Sequence, residues 1–232
     1  MEIDLPVSAT RPKYTKNDFV SGAEVRWCPG CGDYSILGTV QQTLAKFDIP
    51  RENYVFVSGI GCSSRFPYYM NPYGFHTIHG RAPTLATGLK VANPELSIWV
   101  ITGDGDGLSI GGNHLVHACR RNVDIKIILF NNRIYGLTKG QFSATADSGS
   151  KSKKGVVNTD SPVDLVAMAL QLGATYVARG FSGNKAQLVP LIKGAMTHGG
   201  AAFIDVISPC VAFNNHPGST KSYDYVREHN EA

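Results

Sequence analysis

A chain of 232 residues with 43% hydrophobic and 17% charged residues suits one α/β domain with a buried core. The formal net charge of +4 is too small, and the aromatic residues too scattered, for a nucleic-acid-binding surface. No apolar run approaches the ~18 residues of a membrane-spanning helix, and five cysteines without a secretory leader argue against a disulfide framework and for a reducing, cytoplasmic compartment.

Residues 1–23 are polar, lack periodicity and carry Arg11, Lys13 and Lys16. They read as an arm lying on a partner or partly disordered, with one domain over residues 24–232. Hydrophobic periodicity then predicts helix 34–46, strand 54–57, helix 83–92, strand 97–102, helix 113–121, strand 125–130, helix 163–172, strand 175–179, helix 185–198 and strand 202–207. Alternation of this kind predicts an α/β fold, a mostly parallel sheet with helices on both faces. Ser161-Pro162 marks a helix start, with proline in the first turn. Residues 143–158, with Lys151, Lys153 and Lys154 among serines and glycines, read as a long exposed loop, which in a compact domain is usually functional or mobile. No internal repeat is present.

The densest chemistry lies in Gly103-Asp104-Gly105-Asp106-Gly107 and, downstream, Asn131-Asn132-Arg133-Ile134-Tyr135. Asp104 follows one predicted strand and Asn132 the next, so both arrive at the same edge of the sheet, where open α/β sheets bind ligands. The glycines let the backbone approach a phosphate without side-chain clash. A hard cation such as Mg²⁺ takes one or two oxygen ligands from protein and the rest from phosphate and water. Asp104, Asn132 and a backbone carbonyl just beyond, that of Ile134, fit that need. The plain alternative is a glycine-rich turn in an ordinary βαβ unit. Neither a Walker-type loop nor a Gly-x-Gly-x-x-Gly opening a first βα turn is present, which disfavours a nucleoside triphosphate or NAD.

Cys28 and Cys31 form a close pair before a helix, while Cys62 and Cys210 each follow a predicted strand. Three readings compete: a redox dithiol, a structural zinc site and an iron-sulfur cluster. The dithiol reading wants a preceding strand, for which residues 21–26 are poor candidates, and zinc favours two close pairs. Cys119 lies on the apolar face of its helix and reads as a small buried hydrophobe.

With Trp27-Cys28-Pro29-Gly30-Cys31-Gly32-Asp33, Gly59-Ile60-Gly61-Cys62-Ser63, His79-Gly80-Arg81 and Tyr135-Gly136-Leu137-Thr138-Lys139-Gly140-Gln141 in the same order, the chain resembles, from residue 25 onward, the β subunits of 2-oxoacid:ferredoxin oxidoreductases, most closely the 2-oxoglutarate type. That resemblance implies a thiamine diphosphate-binding (pyrophosphate domain) fold. It implies a cofactor pocket formed by Ile60, Gly61, Cys62, Ser63, His79, Gly105, Asp106, Gly136 and Leu137, with Mg²⁺ on Asp104, Asn132 and Ile134. It assigns Cys28, Cys31, Cys62 and Cys210 to a [4Fe-4S] cluster. The remaining histidines His76, His114, His117 and His216 have no such support and read as structural.

As partners the resemblance implies an α subunit carrying the pyrimidine-binding domain, ferredoxin, coenzyme A and a 2-oxo acid, in a heterodimer or dimer of heterodimers inactive without the α subunit. Relatives usually run further at the carboxyl end. A dicarboxylic 2-oxo acid needs a cation for its distal carboxylate, because burying that charge unpaired is prohibitive. Arg65 and Lys139 flank the inferred cofactor site, and members selective for pyruvate tend to have glycine where Lys139 stands. Two alternatives stay open: a pyruvate or broad-specificity enzyme, and a non-catalytic iron-sulfur electron-transfer subunit.

Overall fold

The computed structural model describes residues 13–152 and 154–229. Its centre is a parallel six-stranded sheet of β1 (Tyr54–Ser58), β2 (Tyr73–His76), β3 (Ser97–Gly103), β4 (Lys126–Asn131), β7 (Tyr176–Phe181) and β8 (Ala202–Ile207), in the order β2-β1-β3-β4-β8-β7. The intervening β5 (Ile134–Tyr135) and β6 (Gln141–Phe142) form a separate two-stranded antiparallel ribbon. Strands β1, β4 and β8 are buried along their whole length, as their near-continuous apolar runs require of strands covered on both faces.

Side chains alternate between two cores, as the period of two in a strand dictates. Tyr54, Phe56, Trp99, Ile101, Ile128, Phe130, Ile204 and Val206 pack on one face against α1 (Asp33–Leu44) and α5 (Lys185–Thr197). Val55, Val57, Ile98, Val100, Ile127, Leu129 and Phe203 pack on the other against α2 (Ala82–Ala92), α3 (Gly112–Arg120) and α4 (Leu165–Gln171). Each fully buried large side chain contributes roughly 1.5–3 kcal/mol of transfer free energy. Cys119 sits in the second core with no exposed surface, as its helical position predicts.

Four features depart from the sequence reading. The edge strand β2 was not anticipated: its residues are all exposed, so the apolar pattern that marks a strand is absent. Helix α4 begins not at Pro162 but after Asp164, whose carboxylate caps it by accepting from the Val166 and Ala167 N–H groups. Of the arm, residues 1–12 lie outside the described residues, while Lys16–Phe19 forms a short 3-10 turn closed by a Thr15/Asp18 capping box, and Phe19 is fully buried in the first core. The loop 143–158 is not simply exposed: Ser143, Thr145, Ala146 and Asn158 are buried. Lys153 lies outside the described residues.

Candidate active site

The carboxyl ends of β1, β3 and β4 open onto a cleft lined by Ile60, Gly61, Cys62, Ser63, His79, Asp104, Gly105, Asp106, Asn132, Ile134, Tyr135, Gly136 and Leu137, together with Asp33, Gly103, Phe130 and Thr138. The sequence therefore placed Asp104 and Asn132 correctly at neighbouring strand ends, and the fold joins them. The Asp104 carboxylate accepts from the Ser143 and Thr145 hydroxyls, each at 2.5 Å. Asn132 closes its own turn by accepting from the Ile134 N–H at 3.0 Å. Burial pushes Asp104 above the usual carboxylate range, and the hydroxyl and backbone donors oppose that. Among the described residues no ion pair reaches this buried carboxylate, which suits it to a cation. Beside it, the buried Ser63 hydroxyl has no hydrogen-bond partner and lies 3.4 Å from where a β-carbon on Gly103 would be. An unpaired donor next to a buried carboxylate fits a metal-bound diphosphate.

Asp106 lines the same cleft, but its carboxylate is spent on protein donors. One oxygen accepts from Ile60 N (3.0 Å), Gly80 N (2.7 Å) and His79 Nδ1 (2.6 Å), the other from the Thr102 hydroxyl (2.6 Å). With Nδ1 engaged, His79 has Nε2 left for a ligand, and its ring stands edge-on to Tyr135 at 6.0 Å. Tyr135 in turn donates its hydroxyl to Gly105 O at 2.9 Å.

The thiols form the adjoining wall. A β-carbon at Gly136 would sit 3.6 Å from both Cys62 Sγ and Cys210 Sγ, an ordinary contact distance, so this residue, just after β5, adjoins both sulfurs. Cys28 and Cys31 are joined by a tight turn, with Cys31 N donating to Cys28 O at 3.0 Å and Gly30 in the left-handed conformation at φ 82°. The Trp27 indole N–H donates to Cys62 O at 2.7 Å, tying that turn to the loop after β1. Burial, the Asp33 carboxyl, and the thiols of Cys210 and Cys28 push the Cys62 thiol up to about 11, while the Arg65 guanidinium opposes them. Burial likewise pushes Cys31 and Cys210 up, with Cys62 and Cys210 among the groups acting on Cys31, and Cys28 on Cys210. Four cysteines from distant segments are thus electrostatic neighbours. Among the described residues no three His, Cys, Asp or Glu side chains converge as ligands of one metal ion.

Residues 59–206 match the family model described as the thiamine pyrophosphate enzyme C-terminal TPP binding domain. Over 188 residues the chain is 44% identical to the 2-oxoglutarate synthase subunit KorB of Methanocaldococcus jannaschii, covering 81% of this chain and 70% of that protein. This chain belongs to the KorB family of 2-oxoacid oxidoreductase β subunits. Another member, the 2-oxoglutarate oxidoreductase subunit KorB of Mycobacterium tuberculosis, is 54% identical over 212 residues, 91% of this chain and 56% of that protein. The chain thus spans little more than half the length of that relative. A chain of the 2-oxoglutarate:ferredoxin oxidoreductase from Magnetococcus marinus, solved with 2-oxoglutarate, coenzyme A and succinyl-CoA bound, superposes with a TM-score of 0.88 at 41% identity, over 92% of this chain and 72% of that one. The expected thiamine diphosphate-binding fold is therefore the observed one, and the resemblance seen in the motifs is a family relationship.

Within that KorB fold, the two residues expected to meet a substrate carboxylate lie apart from the cleft lining. Arg65 is half-buried on the turn after Cys62, where its charge acts on the Cys62 thiol. Lys139 is exposed, with φ at 75°, a backbone conformation that glycine adopts far more readily than lysine. Several residues of the site escaped the sequence reading. Asp33 was visible only as the end of the cysteine motif; in the fold it is buried behind Cys31, accepts from the Ser208 hydroxyl at 2.7 Å, and burial pushes it up to about 6. Ser143 and Thr145 come from the segment read as an exposed loop, and Asn214 donates to Asn132 O at 2.8 Å. Their types carry no signal without the contact.

Proposed function

We propose that this chain is the β subunit of an oxidoreductase that oxidatively decarboxylates 2-oxoglutarate to succinyl-CoA and CO₂, or runs the reverse carboxylation, with ferredoxin as electron partner in the cytoplasm. It acts with an α subunit that supplies the pyrimidine-binding domain, as a heterodimer or dimer of heterodimers. Thiamine diphosphate, when bound, supplies the electron sink that loss of CO₂ from a 2-oxo acid requires. In this reading Asp104, Asn132 and the Ile134 carbonyl hold Mg²⁺, and Ser63 and His79 Nε2 face the diphosphate. Gly61, Gly105, Gly136, Ile60 and Leu137 shape the walls, and Cys28, Cys31, Cys62 and Cys210 hold a [4Fe-4S] cluster.

The observation that carries the proposal is the shared wall. Cys62 lines the cleft beside the unpartnered Ser63 hydroxyl, and its sulfur flanks Gly136 together with that of Cys210. A diphosphate site and a four-thiol site back to back suit an enzyme that must remove electrons where it breaks a carbon–carbon bond. The names of the KorB relatives favour 2-oxoglutarate. A relative named 2-oxoacid:ferredoxin oxidoreductase subunit beta from Saccharolobus solfataricus, 46% identical over 192 residues, keeps a broader substrate range as the second reading.

Purification of the native complex tests this. Expected are thiamine diphosphate on acid extraction, iron with a broad visible shoulder, and coenzyme A-dependent viologen reduction faster with 2-oxoglutarate than with pyruvate. Iron without thiamine diphosphate would leave an electron-transfer subunit instead.

A further inference from the structure

We infer that Asp106 is a positioning residue, a brace that assembles the cleft from separately folded loops and fixes the orientation of His79. One carboxylate gathers donors from three places: Ile60 after β1, His79 and Gly80 after β2, and Thr102 within β3. Ile60 and the His79-Gly80 turn lie beyond the last pairing between their strands, Ser58 with His76. The surroundings are cut to fit the carboxyl group. A β-carbon on Gly59 would lie 2.1 Å from Asp106 Oδ2, and one on Gly111 would lie 2.6 Å from the Asp106 carbonyl. That carbonyl accepts from the Gly111 N–H at 3.0 Å and so holds the wide turn Gly105–Ile110 that follows β3.

A carboxylate ligand toward a cation keeps lone pairs free; this one, 3% exposed, accepts four hydrogen bonds from protein. Because the carboxylate accepts, the proton shared with His79 sits on Nδ1, which selects the tautomer and turns Nε2 outward. The role deepens the proposed cofactor site and rests on it for its purpose, but the brace itself is a property of the chain before any cofactor binds.

Amide hydrogen exchange on the full chain, without added thiamine diphosphate or Mg²⁺, tests the brace. In Asp106→Ala the amides of Ile60 and Gly80, on different loops, are expected to exchange about tenfold faster or more, together, while those of β4 keep their protection. The ¹⁵N shifts of His79 are expected to lose the Nδ1–H signature in the same variant. Asp106→Asn retains one acceptor oxygen for the Ile60 and Gly80 N–H groups. It is expected to keep their protection and, in the assembled complex, thiamine diphosphate–Mg²⁺ affinity within about threefold by calorimetry. A residue that binds the cofactor through its charge gives the opposite pattern: unchanged exchange in both variants, and affinity lost in Asn as in Ala. That pattern overturns the inference. If Asp106→Ala does not fold, Asp106→Asn decides alone, since lost affinity with unaltered Ile60 and Gly80 exchange contradicts the brace. A wild-type complex that binds no thiamine diphosphate would instead remove the cofactor reading and leave the exchange result standing.

Discussion

The two ends of the sheet treat their buried polar groups in opposite ways. At the amino end, the buried Lys126 ammonium reaches Asp124 (2.5 Å), His198 O (2.6 Å) and Gly200 O (3.4 Å), and Asp124 is shared with Lys90 at 2.9 Å. At the carboxyl end, Asp104 and Asp33 are buried among hydroxyl and backbone or thiol donors, Ser63 has no partner, and the thiols are crowded together. Burying polar groups is costly either way. The amino end offsets that cost within the chain, which makes it a support; the carboxyl end leaves it to be offset by something that binds.

Substitutions break this contrast in a graded way. The largest effect is expected at the thiols: alanine at Cys28, Cys31, Cys62 or Cys210 should each abolish most iron and visible absorbance, while Cys119→Ala, inside the second core, keeps both and costs on the order of 1 kcal/mol in a denaturant titration. Equal iron loss at all five positions would mean general misfolding. Next comes Asp104→Ala, which takes the carboxylate acceptor from the Ser143 and Thr145 hydroxyls, leaving Thr145 with Asn131, and removes the anionic ligand. Thiamine diphosphate in the purified complex should fall at least about tenfold with iron unchanged, measured by acid extraction beside iron analysis. Retained cofactor would dissolve the difference between the two ends.

A smaller effect is expected at Lys139. Asparagine tolerates its left-handed backbone and removes the charge, so Lys139→Asn isolates electrostatics where glycine would also relax the chain. If the ammonium steers the distal carboxylate, KM for 2-oxoglutarate rises up to about tenfold and kcat/KM for pyruvate stays within twofold or so. A parallel loss for both acids would assign Lys139 to the fold. The smallest effect belongs to the amino end. Burial raises Asp124, but hydrogen bonds from Lys126 and Lys90 outweigh it and hold the carboxyl at about 2, below the usual carboxylate range. A depressed folded pKa gives stability that is present above pH ~4 and lost as pH falls toward 2. Solvent exposure screens the pair, so the loss is about 1 kcal/mol, and Asp124→Asn should flatten that part of the urea-denaturation profile.

The fold was legible wherever burial wrote a period into the sequence. The apolar runs of β1, β3, β4 and β8 and the faces of α1, α2, α3 and α5 appear where the pattern places them, within two or three residues at their ends. The exposed strand β2 left no pattern, and the Ser161-Pro162 signal yielded to the stronger cap at Asp164. The site was legible in its residue types and their order: Asp104, Asn132, Cys62, Ser63, His79 and Gly136 all line one cleft. Roles were less legible than membership. Asp106 shares the motif of Asp104, yet one carboxylate takes hydroxyl donors from the segment after β6 and the other gathers two backbone and two side-chain donors around the cleft.

By itself, then, the sequence determined the alternation that makes a parallel sheet, the strand ends at which Asp104 and Asn132 emerge, and the family. These follow from local periodicity and from short motifs whose chemistry depends on adjacent residues. The tertiary structure alone decided that Cys62 and Cys210 both adjoin Gly136, that Ser143 and Thr145 reach back to Asp104, and that Arg65 acts on the Cys62 thiol. Those are contacts between segments far apart in the chain, set by strand order and by which loops pack over the sheet edge. A pattern of period two or 3.6 carries no record of them.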